Sequence, residues 1–241
     1  NLSPEYKEIL HPIGDYSIKH GEQLLLYNIY GNGFGNKIAP RSKKIQKMNA
    51  EREIKNVNNF AFNSIEIILD VRDTQTMLTH HTWIWDIMNI AKEPKQQIYY
   101  YLEGDTAKDF ADMNVTASDG KGTKMNILSL GSNKPYHKEF NVQLNRPLKP
   151  KQKRIIKLEY DWEEPERSYF YKFASDCKRF KYLCILPKGM EAKNRILRVD
   201  TETGYKLHAS PPATVKYLDD RTEISWEKTN LKAYDAYSFE W

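Results

Sequence analysis

The sequence predicts an all-β, mainly antiparallel protein with few or no helices, and three observations carry that prediction. Alternating apolar and polar runs recur about fourteen times, roughly 8 to 14 residues apart, each short enough to be a strand. Gly, Pro, Asn and Asp cluster between the runs, where turns need them. The 16 Tyr and 5 Trp supply bulky amphipathic rings that suit a pleated, half-buried surface. This cadence points to sandwich or barrel layers and not to alternating β-α-β units.

Residues 1–14 read as a lead-in broken by Pro4, Pro12 and Gly14, and DYSIKH and EQLLLYNIY follow as two strands turning at Gly21. The segment GNGFGNKIAPRSKK is a Gly-rich, basic loop. Its glycines Gly31, Gly33 and Gly35 form neither GxGxxG nor a P-loop, so a mobile connection is the better reading than a phosphate cradle. KIQKMNAEREIKN and AFNSIEIILDVR then make a hairpin turning at Val57-Asn58-Asn59, with Glu51 and Glu53 sharing a solvated strand face.

Residues 73–93 carry both a helical stripe and a strand-like alternation, THHTWIWDI. The alternation favours a strand over Thr82 to Ile87, with a short helix as the alternative. Adjacent histidines on a strand point to opposite faces, so His80 and His81 do not ligate one metal; a loop rim with one exposed histidine is expected. Trp83 and Trp85 share a face, which places them in the core, or on a stacking platform if Thr82 and Ile84 take the inside.

QQIYYYLEG is a strand with a hinge at Gly104. Ser118-Asp119-Gly120 is the tight turn of a further hairpin, since Asp-Gly between alternating runs is a strong local signal. From Pro135 to Trp162 the runs HKEFNVQL and KRIIKLEYDW flank a Pro- and Lys-rich connection, which describes a β-arch or a long hairpin. Glu163, Glu164 and Glu166 around Pro165 have the composition of an exposed connection. SYFYKF and RFKYLCILP read as a hairpin across Ala174 to Lys178, and TVKYLDD and TEISWEK as another at Asp219-Asp220.

The strand, tryptophan and turn pattern is similar to immunoglobulin-like and fibronectin-like β-sandwiches, although no cysteine pair brackets a tryptophan. The expected organisation is one elaborated sandwich over 15–241. Two stacked β subdomains, 15–105 and 112–241, form the alternative. Cys177 and Cys184 are too few for a disulfide scaffold or a thiolate zinc site and read as free thiols in a reducing, cytoplasmic compartment. No run reaches the ~20 apolar residues that span a bilayer, so no membrane insertion is expected. The chain opens at Asn1, as a trimmed or mature chain or a domain of a longer protein would.

Catalytic chemistry finds no pattern: there is no GxSxG, no HExxH, and the spacing of Asp105, Asp109, Asp112 and Asp119 does not fit a calcium loop. No cofactor or metal is expected. The formal charge of +5 is mild for 241 residues, which makes nucleic acid a minority reading resting on Lys37 to Lys47 and Lys149 to Lys157. The expectation is a non-catalytic recognition module with a protein partner, carbohydrate and nucleic acid being the alternatives. Its candidate contact residues are Phe34, Lys37, Arg41, Lys43 and Lys44 in the Gly-rich loop, with His80, His81, Trp83 and Trp85 beyond it.

Overall fold

Alternating burial along 60–71 and 78–89 sets the layers: one side of each strand is closed by apolar side chains and the other stays half-open. The structure, a computed structural model, describes residues 10–17, 23–29 and 59–241, with side chains described over 59–128 and 134–241. The Gly-rich loop holding Phe34, Lys37, Arg41, Lys43 and Lys44, and the hairpin expected at 45–57, lie outside the described residues.

The described strands are β1 (Leu10–Ser17), β2 (Gln23–Ile29), β3 (Phe60–Val71), β4 (Leu78–Asn89), β5 (Lys95–Glu103), β6 (Thr116–Asp119), β7 (Lys124–Lys134) and β8 (His137–Leu148). They continue as β9 (Lys153–Glu163), β10 (Ser168–Lys172), β11 (Cys177–Pro187), β12 (Arg195–Val199), β13 (Lys206–His208), β14 (Thr214–Tyr217), β15 (Arg221–Leu231) and β16 (Ala236–Glu240). Among the described residues the one helical element is a 3-10 turn, Phe110–Met113. β1 and β2 pair with each other, and β1 starts at Leu10, inside the expected lead-in.

The rest forms a 10-stranded sheet in the order β14-β15-β11-β3-β4-β9-β6-β7-β8-β5 and a 4-stranded sheet in the order β10-β16-β12-β13. Pairing is antiparallel except between β3 and β11, which run parallel. The long sheet curls so that β5 and β8 cover β4: Tyr100 stacks on Trp85 at 4.4 Å and on Phe140 at 5.6 Å. The smaller sheet covers β11 and β15, with Tyr182 stacked on Phe239 at 4.3 Å and Trp226 5.0 Å from Tyr237. The two sheets thus pack face to face as the layers of a β-sandwich. Strands from the two sides of 105–112 pair with each other in the long sheet, β4 with β9 and β5 with β8.

Three local expectations meet their structure here. The Asp119-Gly120 hairpin forms, β6 pairing with β7. The 137–163 segment is an arch: β8 and β9 do not pair, because β6 and β7 lie between them in the sheet. β10 and β11 are not a hairpin. β10 pairs with β16 and β11 with β3 and β15, so the chain crosses between layers at 173–176. Gly104 ends β5 against Trp162, where a Cβ would stand 2.1 Å from the indole. Only glycine permits that approach.

Candidate functional site

Of the candidates, the structure describes the four on β4. Residues 78–89 are one continuous strand, so the helical alternative and the loop rim are both replaced by a strand that points His80 and His81 to opposite faces. His80 is half-buried on the outer face, with Nδ1 2.7 Å from Asp161 Oδ1 and Nε2 3.5 Å from Glu159 Oε1. Burial pushes the Asp161 carboxyl up, but the hydrogen bonds from His80 and Asn114 outweigh it and hold the group below the usual carboxylate range. His81 is fully buried, stacked 4.3 Å over Tyr160, with Nε2 3.4 Å from Glu164 Oε1. Glu164 is therefore interior and not part of an exposed connection. Trp83 and Trp85 are 7% and 6% exposed, so their ring faces lie in the core and form no surface platform. The four residues are not brought together as a surface.

A different surface is assembled at the opposite end of the same strands. Three turns meet there: the β4–β5 turn, the β6–β7 turn and the β8–β9 arch. Register fixes the meeting, with Lys95 opposite Leu148, Met88 opposite Lys153 and Asp119 opposite Ile156. The first turn brings Lys92 and Lys95, the second Lys121 and Lys124, and the arch Arg146, Lys149, Lys151, Lys153 and Arg154. Seven of these cations are exposed; Lys95 and Arg154 are half-buried. No described carboxylate lies within ion-pair distance of any of the nine. The same three turns hold two carboxylates, Glu93 and Asp119. Asp119 is held mainly by its own turn: the backbone N–H groups of Thr123 and Lys121 keep its carboxyl below the ordinary range, with a smaller contribution from the Arg154 charge.

Asn89 ties the β4–β5 turn to the β8–β9 arch. Its fully buried side chain donates to the Leu148 carbonyl at 2.7 Å and the Glu93 carbonyl at 2.9 Å, and accepts from the Ala91 amide at 2.9 Å. Its backbone carbonyl accepts from the Lys151 amide at 2.7 Å and its own amide donates to the Gln152 carbonyl at 3.0 Å. Arg154 reaches the Arg146 carbonyl at 2.9 Å, and Asn145 the Lys124 carbonyl at 3.2 Å. The cations thus stand on cross-braced turns. Sequence reasoning singled out only Lys149 to Lys157 of this surface and missed Asn89, whose place at the end of an apolar run was the available signal, because asparagine is disfavoured in strands.

No protein family's profile matches the sequence, and no curated protein matches it. Among solved structures, the chain is similar to a putative protease from Parabacteroides distasonis at TM-score 0.46 and 10% identity, over 76% of this chain and 40% of that one. It is likewise similar to an M1 zinc metallopeptidase from Deinococcus radiodurans at TM-score 0.46 and 12% identity, over 76% of this chain and 42% of that one. The chain thus spans about two fifths of the length of these structures. No described helix is long and apolar enough to cross a membrane.

Proposed function

We propose that the chain is a non-catalytic recognition module that binds a polyanionic partner through the basic end of its sandwich. One observation carries this reading: nine cations stand on three braced turns with no carboxylate of the described residues in ion-pair distance. Exposed like charges repel one another and add nothing to folding, so a surface that keeps them together is organised for a ligand of opposite sign. Their binding is electrostatic and releases counterions, which makes it steeply salt-dependent. The buried, unpaired thiols Cys177 and Cys184 suit a reducing compartment.

The test is size-exclusion chromatography with light scattering after incubation with polyglutamate, at low and at high salt. Co-elution at low salt and release at high salt is the expected result. Replacing Lys121, Lys149 and Lys153 by Gln is expected to lower the salt slope by about one per lysine replaced. Elution as the free chain at both salts overturns the reading.

A further inference from the structure

The basic end is not purely charged, and its apolar part narrows the class of polyanion it would take, a step that rests on the polyanion reading. Ile90 and Ile155 are 48% and 47% exposed, side by side with the cations along the chain and across the sheet. Ile155 stands opposite Asp86 on the outer face of β9, in register beside the Met88–Lys153 pair. The β6–β7 turn packs against it, the position of a Gly120 Cβ being 3.1 Å from the Ile155 Cβ, so the Lys121 turn borders this isoleucine directly. Ile90 directly follows Asn89 and precedes Lys92, and its amide donates to the Asn59 carbonyl at 2.9 Å.

Three features separate the candidate polyanions. A phosphate backbone offers these isoleucines nothing to bury, whereas a protein segment brings apolar side chains of its own. No aromatic residue occurs in 90–95, 119–124 or 145–155, so bases would have no ring to stack on. Asp86 lies within the patch, its Oδ1 3.4 Å from Asn63 Nδ2, and its charge opposes a continuous lattice of phosphates or lipid headgroups. A peptide spaces its acids and can leave that position to a neutral or basic side chain.

We infer that the basic end recognises an acidic protein segment that interleaves carboxylates with aliphatic side chains. The lysines supply point charges for the carboxylates, and Ile90 and Ile155 take up the aliphatic groups. Affinity then has a salt-sensitive part set by the cations and a salt-insensitive part set by the two isoleucines.

The experiment measures fluorescence anisotropy of the full chain with four probes: a peptide of mixed glutamate and leucine, polyglutamate of equal charge, a short mixed-sequence DNA duplex, and phosphatidylserine-containing vesicles. The expected result is that the mixed peptide binds about tenfold tighter than polyglutamate, a margin in the range of one or two apolar contacts. Ile90→Ser with Ile155→Ser removes that margin, so that the mixed peptide binds no tighter than polyglutamate; both sites are exposed, so folding is retained. Lys121→Gln with Lys153→Gln weakens both probes together. Equal binding of the two acidic probes, or tighter binding of duplex or vesicles, overturns the protein-segment inference while the polyanion reading stands. Failure of every probe to bind overturns both.

Discussion

The two ends of the sandwich are built from the same strands and treat charge in opposite ways. At the end where β3 finishes and β4 begins, titratable side chains have partners: His80 with Asp161 and Glu159, His81 with Glu164, Lys108 with Glu163 at 2.8 Å, and His137 with Glu103 and Glu139 at 3.1 and 2.9 Å. At the other end the lysines have no described carboxylate partner, and hydrogen bonds go instead from Asn89 and Arg154 to backbone carbonyls. Paired charges fix side chains and neutralise each other's fields; unpaired charges on a braced backbone leave a field for something else to neutralise. One end commits its titratable groups to contacts within the fold, while the other leaves its cations exposed on braced turns.

The largest effect that could break this comparison is at Glu164. Its partner His81 is fully buried and its own side chain is 1% exposed, so removing the carboxylate strands an imidazole between Tyr160 and Tyr169. Glu164→Ala is expected to cost about 3–5 kcal/mol of unfolding free energy, read from urea denaturation followed by tryptophan fluorescence. Polyglutamate binding by the molecules that remain folded is expected to be unchanged, since the substitution lies at the far end. A cost below about 1 kcal/mol, the range of an exposed pair, would show that the paired end is no more structural than the basic one.

Asn89 sharpens the contrast from the other side, because it is a buried polar residue at the end proposed to bind. Asn89→Ala leaves the Leu148 and Glu93 carbonyls without their donor and is expected to cost about 1–3 kcal/mol. It is also expected to weaken polyglutamate binding several-fold, although Asn89 is buried and touches no ligand, because the turns that carry Lys92 and Lys151 lose their common anchor. Unchanged affinity at reduced stability would mean that the cations bind without preorganisation, as a flexible basic tail would.

Much of the fold was legible because its signals are local. Asp119-Gly120 sits between two alternating runs, and no tertiary contact was needed to place that hairpin; the alternation of THHTWIWDI likewise decided strand against helix and set the two histidines on opposite faces. The β10–β11 crossing was not legible. Two short alternating runs with a brief connector satisfy a hairpin and a layer crossing equally, and the choice was made by β16 and β3, far along the chain. Glu164 was misplaced for a related reason: EEPER has surface composition, and its burial depends on His81 from another strand. The basic end is the extreme case. Lys92, Lys121 and Lys149 are ordinary solubilising lysines in their own turns, and they become one surface only when the register of β4, β8 and β9 brings those turns together.

The smallest effect is expected where the difference between the ends is most open to test, at the lysines themselves. Lys121→Gln, Lys149→Gln and Lys151→Gln in one chain remove three exposed charges that no described ion pair uses, so the fold gives up no stabilising pair. The change in unfolding free energy is expected to be within about ±0.5 kcal/mol per site, and on balance positive, because repulsion among the remaining cations falls. Salt supplies the same relief by screening over about 10 Å at 0.1 M, so added sodium chloride should raise the melting temperature of the parent chain more than that of the triple variant. Calorimetry over a salt series separates the possibilities. A triple variant that melts well below the parent would place these lysines in the fold, and the distinction between a structural end and a binding end would be lost.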